Sequence, residues 1–102
     1  MRTACVKMNG VTAGILEELT QSKYRFSYQS DYHGAPVSLT MPLNKVVYEF
    51  NQFPPFFEGL LPEGVQLEAL LRKCKLDRYD YFGQLLQVGG DLVGAVTLEK
   101  LT

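Results

Sequence analysis

The stretch Ala4-Cys5-Val6-Lys7-Met8-Asn9-Gly10 decides the reading of the fold. Ala4, Val6 and Met8 alternate with Cys5 and Lys7 before Asn-Gly, the strongest short hairpin signal, so a strand is expected to turn back at Gly10. A second extended run follows from Val11 to Leu16. Tyr24, Phe26 and Tyr28 then fall on one face while Lys23, Arg25 and Ser27 fall on the other, a period of two that predicts a half-buried third strand. Ser30 to Pro36 is rich in turn residues and reads as a loop, and Val37-Ser38-Leu39-Thr40-Met41 reads as a short strand ended by Pro42. Between Asn44 and Pro55 the signal is weak: Val46, Val47, Tyr48 and Phe50 favour a strand, and Pro54-Pro55 stop any regular element.

Beyond the prolines the period changes to that of a helix. Phe56 to Leu61 can form one helical turn, and Pro62 has the fixed φ suited to the first position of a following helix. In that helix Leu67, Leu70, Leu71 and Cys74 recur at i, i+3, i+4 and i+7, predicting one inward apolar stripe. Glu63 and Glu68 lie toward its N-terminus and Arg72, Lys73 and Lys75 toward its C-terminus, which complements the helix dipole. Asp77 or Asp80 can cap a further helix of about ten residues. Phe82, Leu85, Leu86 and Val88 would supply its buried face, with Gly89-Gly90 allowing a left-handed exit. Val93, Ala95-Val96 and Leu98 predict a C-terminal strand that returns to the sheet. The order gives a single α+β domain over residues 1–102, with an antiparallel strand-rich N-terminal half, two or three helices and a returning strand.

The 102 residues leave room for one core, and a chain of this size buries only about 60–70% of its extended surface, so a partner covering apolar area is expected. Lys and Arg total 10 against 11 Asp and Glu, a net charge of -1, which lacks the basic excess that drives binding to nucleic acid. No window reaches the roughly 18 apolar residues of a membrane span, and Arg2, Lys7 and Asn9 interrupt any signal-peptide core, so a cytoplasmic protein is expected. Cys5 and Cys74 have no CxxC spacing and no neighbouring histidine, and are expected to stay reduced and partly buried.

Catalytic signals are sparse. His33 is the only histidine, which excludes multi-histidine metal sites, and its place between Tyr32 and Gly34 suits a surface loop. Glu58 and Glu63 are expected to be helix-terminal charges and not an acid/base pair. Gly89, Gly90 and Gly94 form G-G-x-x-x-G with no following Lys-Ser or Lys-Thr, which is no phosphate loop. No enzymatic activity, cofactor or metal is expected. Phe50, Phe53, Phe56 and Phe57 crowd one proline-rich stretch, with two readings open: a structural corner, or an exposed apolar patch rimmed by Glu58 and Glu63 that meets another protein. Arg72, Lys73, Lys75 and Arg78 are a solvated helix end or a complement to an acidic partner.

Several separated segments, in order, carry a family resemblance: Val6-Lys7-Met8-Asn9-Gly10 with Gly14, Ser38-Leu39-Thr40-Met41-Pro42-Leu43, Phe56-Phe57-Glu58-Gly59-Leu60-Leu61-Pro62-Glu63-Gly64, Phe82-Gly83-Gln84-Leu85-Leu86 and Val88-Gly89-Gly90-Asp91-Leu92-Val93-Gly94-Ala95. Together they resemble the N-terminal subdomain of HipA-type serine/threonine kinase toxins, without the phosphate loop, catalytic aspartate and metal ligands of the kinase. A free-standing version is similar to the HipS antitoxins of three-part HipBST systems, whose other members are the HipT kinase and the helix-turn-helix protein HipB. The resemblance implies a noncatalytic antitoxin of a HipT-type kinase, acting by occlusion of its active-site region, with a HipB-like protein as a possible third partner. The rival is a structural N-terminal piece of a full-length kinase with no inhibitory role. The resemblance further implies that Pro62, Glu63, Gly64 and Val65 are presented to the kinase, with Phe56 and Phe57 as additional contacts. Some members carry a bulky aromatic, often Trp, after Pro-Glu-Gly; this sequence has Val65 there, a departure that reduces the expected anchor area.

Overall fold

The computed structural model describes residues 1–92 and 94–101. Its order is β1 (Thr3–Met8), β2 (Val11–Thr20), β3 (Lys23–Tyr28), β4 (Val47–Phe50), α1 (Pro55–Glu58), α2 (Gly64–Cys74), α3 (Tyr81–Val88), a 3-10 turn (Gly89–Asp91) and β5 (Val96–Lys100). The strands form one antiparallel sheet in the order β4-β3-β2-β1-β5. The expected hairpin closes at Asn9 and Gly10, both with positive φ (52° and 82°), the conformation that matches the twist of the strands it joins. Val6 stands beside Gly14 on one side and Leu98 on the other, and Phe26 stands between Leu16 and Tyr48, so the period-two residues share one face. That face meets Phe57, Phe82 and Leu85 in a core whose largest members are fully buried. The fold is α+β, as the sequence predicts; Val93, assigned to the last strand, lies outside the described residues.

Three local expectations are corrected. Residues 37–41 are no strand; they make a single bridge between Ser38 and Met41. The buried Tyr28 hydroxyl accepts from the Val37 N–H (2.9 Å) and donates to the Met41 carbonyl, while the Ser38 hydroxyl accepts from the Thr40 N–H (3.2 Å). These side chains take the backbone groups a ladder would need. Pro62 does not open α2, because Glu63 is still extended (φ -131°, ψ 164°) and serves as the N-cap; Pro55 fills the first-turn role instead, in α1. Gly89 makes no left-handed exit. Its φ is -55° and the chain tightens into the 3-10 turn, where a Cβ on Gly89 would lie 2.7 Å from the Leu98 carbonyl oxygen, so the position requires lack of bulk. The left-handed exit belongs to α2, at Lys75 (φ 54°).

The aromatic stretch resolves as a corner. Phe53 and Phe57 are buried and Phe50 and Phe56 half-buried. Phe53 packs edge-on to Tyr24 (5.3 Å) and Phe57 against Phe26 (6.0 Å). None of the four rings forms an exposed patch, which corrects that reading. Cys5 is buried and Cys74 half-buried, both free thiols.

Candidate protein interface

The segment from Pro54 to Val65 is built as a foot, an ankle and a tip. Pro55 pre-sets the first turn of α1, and the Glu58 and Gly59 N–H groups donate to the Pro54 and Pro55 carbonyls (both 3.0 Å). This winding drives Phe57 inward to 0% exposure, so Phe57 is unavailable to a partner and its expected contact role is corrected: the ring anchors the segment from beneath. Leu60 and Leu61 close two further turns onto the carbonyls of Phe57 and Glu58 (3.1 Å each) and are half-buried with Pro62. Glu63 then extends, and Gly64 takes φ +60°, a left-handed value that costs other residues about 1–2 kcal/mol. The bend leaves Val65 at 86% exposure.

The helix that follows is held loosely. The start of α2 has no side-chain cap, its first backbone bond runs from Leu67 to Glu63 at 3.4 Å, and none of its residues is fully buried. The predicted stripe of Leu67, Leu70, Leu71 and Cys74 is present but only half-covered. Beside the tip lies an open groove lined by Gly59, Leu60, Leu61, Pro62 and Gln66 on one wall and Val88, Asp91 and Leu92 on the other. Pro62 belongs to both the tip and the groove, so the two adjoin at the surface, with the buried Phe57 beneath them.

Of the sequence-predicted site residues, Pro62, Glu63, Gly64 and Val65 adjoin one another at this surface, Phe56 is half-buried beside Phe57, and Phe57 is inside. Glu58 and Glu63 are exposed, as is His33 in its loop. Among the described residues no carboxylate pairs with Arg72, Lys73 or Lys75, whereas Arg78 is paired with Glu68.

Sequence reasoning missed the electrostatic clasp that positions α3. Arg2 donates to both oxygens of Glu18 (2.8 Å each) and of Asp80 (2.7 and 3.2 Å), and stands 5.3 Å from the Phe82 ring centroid. Asp80 also caps α3 by accepting from the Gly83 N–H (3.1 Å). The hydrogen bonds from Arg2, together with that from Gly83, hold the Asp80 carboxyl below the usual carboxylate range. Glu18 and then Asp80 raise the Arg2 guanidinium still further above neutrality. The three charged groups come from the N-terminal segment, β2 and the start of α3, and no local pattern signals such a meeting.

Residues 4–99 match the HipA N-terminal domain family. The chain belongs to that family. The match takes in α1, α2, α3 and all but the terminal residues of β1 and β5. A solved structure described as the N-terminal domain of HipA toxin superposes with a TM-score of 0.79 at 29% identity, covering 100% of this chain and 94% of that one. An uncharacterized protein of Haemophilus influenzae is 31% identical over 100 residues, which is 98% of this chain and 93% of that protein. The HipA relationship is thus to the N-terminal domain, and the kinase catalytic domain lies outside it. Among the described residues of this HipA N-terminal domain, no helix is long and apolar enough to cross a membrane.

Proposed function

We propose that this chain is a noncatalytic binding protein of HipS type, an antitoxin that docks on a HipA-like (HipT-type) serine/threonine kinase and silences it by occupying its active-site region. The observation that carries the reading is Val65: an apolar side chain at 86% exposure, on the tip of a bend whose foot is fixed by the fully buried Phe57. One exposed apolar side chain is ordinary on a protein surface; Val65 supports the reading because it adjoins the groove lined by Leu60, Leu61, Pro62 and Leu92, so that one partner surface would cover both. The Haemophilus influenzae relative supports a free-standing protein, since this small domain accounts for 93% of its length. The working compartment is the cytoplasm, and a HipB-like DNA-binding protein is a further member of the assembly.

Valine offers less area than an aromatic ring, so Val65→Trp is expected to tighten binding to the kinase; an unchanged dissociation constant would count against the tip. The decisive test expresses a HipA-like kinase core that lacks its N-terminal subdomain, with and without this chain, and follows growth beside calorimetry of the purified pair. Rescue with a 1:1 complex supports the antitoxin. A second reading, favoured by the likeness to a domain of HipA toxin itself, is a structural N-terminal piece without inhibitory action. Binding without rescue would select that reading, and absence of both would reject the two together.

A further inference from the structure

Helix α2 has two unlike faces. Leu67, Leu70, Leu71 and Cys74 are half-buried against the domain. Val65, Ala69, Arg72 and Lys73 stand at i, i+4, i+7 and i+8, the spacing of a single helix face, and all four are exposed. This face begins at the tip, because Val65 is its first member, and Gln66 beside it lines the groove. At the rise of an α-helix it runs about 12 Å from Val65 to Lys73. Ala69 keeps its middle free of bulk, and its far end holds only positive charge. Glu68 is the one carboxylate in α2, and it is taken by Arg78. Among the described residues Arg72 and Lys73 have no ion-pair partner, and neither has Lys75 at the C-cap. The helix dipole accounts for cations in the last turn, but it does not account for their lying in line with the tip.

We infer, resting on the proposed docking of the tip on a kinase, that the kinase surface beyond the seat of Val65 is rich in carboxylates, which meet Arg72 and Lys73 along the exposed face of α2. A partner that covers Val65 and the adjoining groove lies against the start of this face, and Ala69 does nothing to hold it off. Arg72 and Lys73 then stand about two helical turns from the contact. Positive charge brought against another protein is costly unless an opposite charge faces it. The carboxylate of α2 cannot supply that charge, since Arg78 already holds it. A carboxylate of the partner can, and the guanidinium fork of Arg72 suits it in a bidentate pair. The chain as a whole has a net charge of -1, so the attraction is local to this end of α2 and not a property of the domain's total charge. Charges at the rim of an interface act mainly on the rate of encounter, which leaves the rate of dissociation to the apolar tip and groove.

Stopped-flow association of the intact chain with a HipA-like kinase core lacking its N-terminal subdomain, followed from low to physiological salt, tests this. Arg72→Gln combined with Lys73→Gln should slow association about fivefold at low salt and flatten its salt dependence, with the dissociation rate nearly unchanged. Glutamine keeps the helix propensity of the residues it replaces, so the urea midpoint should match that of the wild type. Lys45→Glu changes the net charge by the same amount at a different place: Lys45 precedes Val46, which pairs with Tyr28 at one end of β3, whereas the loop after α2 lies by Tyr24 at the other end. It should associate as fast as the wild type. Treating the kinase core with a phosphatase should leave the difference between wild type and double variant intact; its disappearance would assign phosphoryl groups in place of carboxylates and overturn the inference. A double variant that binds with the wild-type rate and salt dependence would overturn the inference and leave the kinase reading standing. Absence of any complex with the wild type would overturn both.

Discussion

Helices α2 and α3 are neighbours in sequence and opposites in construction. In α3, eight residues long, Phe82, Gly83, Gln84 and Leu85 are buried, Asp80 caps the start, and Arg2 fastens that cap to β2 through Glu18. In α2, eleven residues long, nothing is fully buried and no side chain caps the start. The difference separates two duties. The contacts of α3 stabilise the domain, whereas α2 and the bend before it are held at the foot by Phe57 and left uncovered where a partner can reach them.

The largest loss of stability is expected at the foot. Phe57→Ala should lower unfolding free energy by about 3–5 kcal/mol, a large part of the total for a domain this size, read as a shift of the urea midpoint. A loss no larger than that of an exposed substitution would mean that the mount is not rigid. Asp80→Ala comes next, at about 1–2 kcal/mol from the cap, with more from leaving Arg2 half-paired.

The same carboxylate sets an acid dependence. Its pKa in the folded chain is depressed, so its contribution is fully present above the ordinary carboxylate pKa and fades as pH falls through the folded value. Urea midpoints should therefore drop in acid for the wild type and drop less for Asp80→Asn; equal slopes would remove Asp80 from the account. Gly64→Ala has open space for its methyl group and should cost about 1 kcal/mol from the left-handed φ alone, measurable by thermal melting. The smallest stability effect belongs to Val65→Asp, expected within about 0.5 kcal/mol of the wild type in urea.

Much of the sheet could be read because its signals are local: Ala4, Val6 and Met8 alternate within one strand, and Asn9-Gly10 states its own turn. The apolar period of α2 was equally legible, but how far Leu67, Leu70 and Leu71 are covered depends on neighbours far along the chain. Residues 37–41 look like a strand until the hydroxyl of Tyr28 claims the backbone of Val37 and Met41. Phe56 and Phe57 are adjacent and alike in sequence, and only the winding of α1 after Pro54-Pro55 sends one inside and leaves the other half-covered. The Arg2, Glu18 and Asp80 clasp joins positions that no periodicity links. At the tip, Pro-Glu-Gly before Val65 was legible by family resemblance, while the exposure of Val65 required the fold.

We propose that the domain meets a HipA-like kinase through the Pro62–Val65 tip, and calorimetry of this chain and its Val65→Asp variant against a kinase core lacking its N-terminal subdomain tests this. The expected result is a 1:1 complex for the wild type and, at unchanged folding stability, at least about tenfold weaker binding for the variant, equivalent to about 1.4 kcal/mol. Equal dissociation constants for the two chains would contradict it.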